Sequence, residues 1–252
     1  MIHSGLVSTT FSKLSVEEVV SLVVRSGFEG IEWSANVHVP RGDYGRARKV
    51  RQMTTKAKLK VAAYGSYYRV GHEKIGEFAK VLKSALELGA PVVRVWCGDK
   101  ESKDADEEYV RHIVSESRRV ADMAGEKGIV VAYEFHNGTL TDNATSARMI
   151  LQSVNRENIK TYWQPPLGGS VEYCLEGLDN ILPWLLNIHV FHWGKDNERL
   201  CLADGRAAWE RYLAKARSTG QNHFAMLEFV REDEPNNFLQ DALTLKQWLQ
   251  CS

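Results

Sequence analysis

Apolar residues follow two rhythms along this chain. In the first, Val16, Val19, Val20, Val23 and Val24 are spaced i, i+3, i+4, i+7 and i+8, which makes one stripe of an amphipathic helix. Ser15 and Glu18 have the spacing of a capping box at its start, and Gly27 stands where the chain must leave it. Ile75, Phe78, Ala79, Leu82 and Leu86 repeat the stripe before Gly89, and Val110, Ile113, Val114, Ala121 and Ala124 repeat it before Gly128. The second rhythm is a short run, apolar on both faces, that follows each such glycine: 28–32, 92–96, 129–134 and, after Gly220, 224–228. Runs of that kind suit parallel strands covered by helices on their outer side.

Extended along the chain, the pattern predicts eight strands near residues 4–8, 29–33, 60–64, 92–97, 129–134, 159–164, 186–191 and 224–229, with helices between them. No linker or low-complexity stretch interrupts the series, so residues 1–252 read as one domain. The predicted fold class is α/β, a single (β/α)8 TIM barrel; 252 residues is close to the ~250 typical of one such barrel. An open doubly wound sheet has the same alternation, but no GxGxxG or Walker A loop follows any strand.

Four of the predicted strands close on a polar residue: Glu134, Gln164, His189 and Glu228. In a parallel barrel all strand C-termini share one face, so these side chains are expected to converge there. Two carboxylates, an imidazole and an amide oxygen are a fitting ligand set for one divalent cation. His136 alternates onto the same side as Glu134. His192 lies three residues beyond His189, which on a strand is the opposite face. Trp33, Tyr64, Trp96, Trp163 and Trp193 sit at the same strand ends, where flat rings suit the C–H faces of a sugar. Arg94, Lys195 and Arg69 are read on the same rim, as receivers of anionic oxygens. Glu32 and His38, at and after the second strand, complete the candidates for substrate or supporting groups.

Composition narrows the function further. Thirty-two basic and 32 acidic residues balance, and no basic stripe marks a nucleic-acid surface. The four cysteines, Cys97, Cys174, Cys201 and Cys251, have no CxxC spacing. No apolar run approaches the ~20 residues of a membrane span, and the N-terminus lacks a secretory pattern. The expectation is a cytoplasmic protein with no nucleic-acid or membrane partner. A homo-oligomer is compatible with the sequence.

Several runs together resemble the xylose-isomerase-like TIM-barrel superfamily, which includes sugar phosphate isomerases/epimerases, ketohexose 3-epimerases, inosose dehydratases and AP endonucleases. They are Gly27-Phe-Glu-Gly-Ile-Glu32, the run ending in Val-Arg-Val-Trp96, Tyr133-Glu-Phe-His136, Ile188-His-Val190 and Leu227-Glu-Phe229. The resemblance implies a metal held after strands five to eight by Glu134, Gln164, His189 and Glu228. The family's usual Asp is Gln164 here, and the His often found three residues later is Leu167. One divalent ion, Mn, Mg, Co or Zn, is therefore expected at a site with one charge fewer. Carried over, Glu134 and Glu228 would also move protons, and His136, Trp96, Lys195, His192, Glu32, Trp33 and Arg94 would bind substrate. The implied activity is a sugar or polyol isomerase/epimerase, of aldose-ketose or ketose 3-epimerase type, acting through an enediolate. A dehydratase of the inosose type, or a non-catalytic carbohydrate-binding barrel with a degraded metal site, are the alternatives. An AP endonuclease would need many more His and Asp ligands and a basic groove. Eight histidines and zero formal charge do not supply them.

Overall fold

A computed structural model describes residues 1–194 and 196–250. The strands are β1 (Ile2–Val7), β2 (Gly30–Ser34), β3 (Lys60–Arg69), β4 (Val92–Trp96), β5 (Val130–Tyr133), β6 (Ile159–Trp163), β7 (Leu185–Val190) and β8 (His223–Leu227). They pair in chain order, all parallel, and β1 closes on β8 through Ile2 opposite His223 and Leu6 opposite Leu227. The sheet is a closed barrel rather than an open doubly wound sheet. Helices α1 (Val16–Ser26), α2 (Tyr44–Lys56), α3 (Ile75–Leu88), α4 (Glu107–Gly125), α5 (Ala144–Val154), α6 (Val171–Ile181), α7 (Arg206–Arg217) and α8 (Pro235–Gln250) follow the strands in turn.

The local signals act as the residue pattern requires. At α1 the Ser15 side chain accepts from the Glu18 N–H while Glu18 reaches back to the Ser15 N–H. Gly27 ends the helix in the left-handed region at φ 68°, a conformation that a Cβ would oppose. The stripe of α1 buries Val16, Val19 and Val23 in the layer between helices and sheet. Within that layer the Phe238 ring of α8 meets Phe11 and Phe28 edge-on, joining the last helix to the first loops.

A second, smaller core fills the barrel itself: Val7, Ala62, Ala63, Val92, Ala132, Tyr162 and Met226, with Leu186 and Phe224 against them. Small side chains on β3 and β5 leave room for Tyr162 and Met226, as the packing of a barrel interior demands. Strand β3 runs five residues past its predicted end. Gly65 pairs with Arg94 and Arg69 with Trp96, four steps on β3 against two on β4. The surplus is taken up at Tyr67, whose φ of 56° is left-handed. Among the described residues no helix is long and apolar enough to cross a membrane.

Candidate active site

The C-terminal ends of β4 to β8 set the site. Beyond β5 and β8 the ladder continues by one bond: Glu134 N–H donates to Val95 O and Glu228 N–H to Val190 O, each at 3.0 Å. That extra bond fixes the backbone of both carboxylates at the mouth. Ligand atoms of Glu134, His189 and Glu228 all lie within 4.8 Å of one another, and all three residues are buried. His189 Nδ1 is the hub, 3.0 Å from Gln164 Oε1, 3.2 Å from Glu228 Oε2 and 3.4 Å from Glu134 Oε1. The four residues predicted to converge do so.

Beneath them lies a buried ion network. Arg94 donates through Nε to Glu32 Oε1 at 2.6 Å and through Nη1 to Glu134 Oε2. Trp96 Nε1 donates to the same Glu134 oxygen at 2.6 Å. The Tyr67 ring covers the guanidinium, 4.9 Å away. Arg94 and Glu32 are 1% and 0% exposed, so Arg94 depends on Glu32 and Glu134 for its charge balance and Glu32 depends on Arg94 and His189. Taking away one partner of such a group costs about 3–5 kcal/mol, because a charge is left stranded.

The proton affinities follow from this crowding. Burial pushes the Glu134 carboxyl up, but Arg94 and His189 outweigh it and hold it at about 2. Burial likewise works against an ionised Glu32, and Arg94 with His189 again prevails, keeping it below the usual carboxylate range. For His189 burial works downward, yet Glu228, Glu134 and Glu32 raise it well above an ordinary histidine. Without another cation the imidazole is the cluster's proton store.

Those charges also test the fit of a metal. Three carboxylates, Glu32, Glu134 and Glu228, face one guanidinium, which leaves two negative charges when His189 is neutral. A divalent cation among Glu134 Oε1, His189 Nδ1, Glu228 Oε2 and Gln164 Oε1 would neutralise them. The mixed oxygen and nitrogen donors suit Mn, Mg, Co or Zn. Gln164, which adds no charge, is consistent with that balance.

The cluster opens into a cavity of about 260 Å³. Trp96, Trp193, Phe229 and Tyr67 give it flat walls, and Asn36, His136, Asn137 and Asp142 give it polar ones. His136 packs its ring 4.8 Å from Trp96 and donates through Nδ1 to Asn137 O. Arg69 stacks on Trp96 at 4.3 Å and donates to Gly98 O and Gly138 O, so it braces the wall.

Several sequence expectations need correction. Arg94 is not on the rim. Its strand parity points it inward below Trp96, where Glu32 and Glu134 occupy it. Glu32 is beneath the site and does not line the cavity. Trp33, its neighbour, alternates outward and donates to Thr54 of α2 at 3.1 Å, out of reach of any substrate. By the same alternation Tyr64 bonds Val39 O, and Trp163 packs between Trp209 and Tyr212 of α7. His38 is tied to Ser8 and Leu14 O. His192 lines an adjoining groove with Gly168, Gly169 and Trp209, which shares Phe191 and Trp193 with the cavity at Glu134, but His192 does not line that cavity itself. Lys195 lies outside the described residues. Tyr67, Asn36, Asp142 and Phe229 were not anticipated. Tyr67 had one signal, the Gly65 inside an apolar run, because glycine within a strand often marks a bulge.

Comparison with known proteins agrees with this architecture. The family model of the xylose isomerase-like TIM barrel matches residues 20–248, and the chain belongs to that family. No curated protein matches the sequence. Among solved structures, the chain is similar to the probable 3-DHS dehydratase AsbF of Bacillus anthracis, with TM-score 0.82, 18% identity and coverage of 98% of this chain and 99% of that one. It is also similar to the D-psicose 3-epimerase of Clostridium cellulolyticum H10, with TM-score 0.76, 14% identity and coverage of 98% and 99%. The 3-keto-D-glucoside 4-epimerase YcjR of E. coli gives TM-score 0.72 at 14% identity, again over 98% and 99%. At such identities the likeness is one of fold.

Proposed function

We propose that this chain is a metal-dependent sugar or polyol isomerase/epimerase that works by proton transfer through an enediolate. The observation that carries the reading is the buried Glu134–His189–Glu228 cluster at the floor of an aromatic-walled cavity, which together with Glu32 and Arg94 has two negative charges in excess when His189 is neutral. A divalent cation held by Glu134, Gln164, His189 and Glu228 would supply positive charge for the oxygens of an α-hydroxy carbonyl substrate.

The two glutamates are not equivalent in this reading. Glu134 Oε2 already accepts from Arg94 and Trp96, so Glu134 stays an anion and serves as a fixed donor. Glu228 accepts from neither and is the better proton carrier. Its carboxylate takes the proton from the hydroxyl-bearing carbon next to the carbonyl. The C–H electron pair becomes the enediolate C=C bond, and the carbonyl oxygen gains the negative charge. Return of the proton to the former carbonyl carbon, with the hydroxyl proton passing to the enediolate oxygen, isomerises the sugar; delivery of a proton to the opposite face of the same carbon by an acid other than Glu228 epimerises it. Trp96 and Trp193 offer planes for the substrate's C–H faces, and His136, Asn36 and Asp142 offer hydrogen bonds to its hydroxyls.

The test is solvent deuterium exchange with a panel of ketoses, aldoses and keto-inositols, on metal-loaded protein. The expected result is deuterium at the α-carbon of a converted substrate, with the rate reduced by at least ~10²-fold in Glu228→Gln. Conversion with no exchange, or full activity in Glu228→Gln, would contradict the mechanism. Loss of water from the product would move the assignment to a dehydratase, which shares the first step.

A further inference from the structure

We infer that Glu32 is a positioning residue for His189: it receives the imidazole Nε2–H, and so leaves Nδ1 as the nitrogen presented to Glu134, Gln164 and Glu228. The inference rests on the metal reading above and adds to it the group that selects the ligating nitrogen. Two buried side-chain atoms at the barrel centre have no hydrogen-bond partner, His189 Nε2 and Glu32 Oε2. Both residues are 0% exposed, so solvent cannot serve them. Nε2 lies 3.9 Å from Glu32 Oε1, the oxygen that Arg94 holds, so the bond closes when the ring or the carboxylate moves by ~1 Å.

The surroundings leave the ring little choice. Tyr162 meets the imidazole edge-on at 5.2 Å and 89°, and its hydroxyl accepts from Asn187 Nδ2 at 2.9 Å while its own proton can turn to Glu32. On the Nδ1 side stand three oxygens within 3.4 Å; on the Nε2 side stands one carboxylate. An unprotonated Nε2 would set its lone pair against the Glu32 charge. A proton there gives Glu32 a donor and frees the Nδ1 lone pair for a cation, the carboxylate–histidine–metal arrangement. Arg94 lets Glu32 remain an anion in this dry place. Its other arm holds Glu134 Oε2, so one ion pair sets two ligands together. Gly65 makes room for the pair: a Cβ there would come within 2.8 Å of both Arg94 Nη2 and Glu32 Oε1.

The experiment is ¹⁵N-histidine NMR of the full chain, metal-free and titrated with Zn²⁺, on wild type, Glu32→Gln and Gly65→Ala. In wild type the His189 Nε2 proton should be visible and slow to exchange with solvent in both states. Glu32→Gln should speed that exchange, move the Nε2 resonance and weaken Zn²⁺ binding by about 10–100-fold. Gly65→Ala should shift both readouts the same way while removing no charge. A wild-type His189 with no proton on Nε2 overturns the proposal, as does a Glu32→Gln protein with wild-type Nε2 signal and Zn²⁺ affinity. If Glu32→Gln fails to fold, the wild-type spectrum and Gly65→Ala decide. A wild type that binds no Zn²⁺ would instead overturn the metal reading, and the difference in Nε2–H exchange between metal-free wild type and Glu32→Gln would still decide the role of Glu32.

Discussion

At Glu134 the two carboxylate oxygens have separate tasks. Oε2 faces down to Arg94 and Trp96, and Oε1 faces the cluster at His189. Glu134→Gln would place an amide where two donors already compete for one oxygen. The expected result is weaker divalent-metal binding, measured by titration calorimetry, and not merely slower turnover. Glu228→Gln keeps an oxygen donor and loses the base, so it should lower the exchange rate far more than it lowers metal affinity. Gln164→Asp adds a negative charge on a side chain one carbon shorter, behind the position where Gln164 Oε1 now stands 3.0 Å from His189 Nδ1. Tighter metal binding is expected in calorimetry; an unchanged or weaker constant would show that residue 164 is not a ligand. His192→Ala, in the adjoining groove and outside the ligand cluster, should leave metal binding near wild type while His189→Ala abolishes it.

Among the elements, β3 and α8 carry the clearest consequences. The bulge in β3 puts Tyr67 over Arg94 at the cost of a left-handed backbone, a strain of the kind that gathers at functional sites. Gly65→Ala should destabilise the fold by about 1–3 kcal/mol, the usual result of overpacking, with a lower Tm by calorimetry. On α8, Asp241 is buried and accepts from Leu202 N–H at 3.0 Å. Burial raises its carboxyl to about 6 from 3.8. The folded protein therefore holds this proton more tightly than the unfolded chain does. The residue favours folding most below the unfolded value, and that contribution is lost as pH rises through about 6. Melting curves from about pH 4 to pH 7 should show wild type losing stability relative to Asp241→Asn, whose amide oxygen can still accept from Leu202 and has no charge to bury. Parallel slopes for the two proteins would contradict this.

For the whole molecule, the barrel was readable from the alternation of helical stripes and apolar runs, because a parallel sheet buried on both faces leaves that imprint. The ends of those runs were readable too. A Glu or His closing an otherwise apolar strand has only the barrel mouth in which to be solvated or ligated, and Glu134, His189 and Glu228 meet there. What lay beyond reach depended on partners across the barrel. Arg94 reads as a rim cation until Glu32, 62 residues earlier, is seen to hold its Nε. Tyr67 lies beyond the predicted end of its strand at residue 64, since the register slip that carries β3 onward against β4 belongs to the pair of strands and not to either one. Trp33 and Trp163 were misplaced for a simpler reason: strand alternation sends each outward once its neighbour points in. The central claim is that the mouth of this barrel holds one divalent cation between Glu134, His189 and Glu228. It is tested most directly by metal stoichiometry on chelator-stripped protein after reloading and removal of excess ion. One equivalent per chain is predicted for wild type, with none retained by His189→Ala of intact fold; no retained metal in wild type, or a full equivalent in folded His189→Ala, would contradict the account.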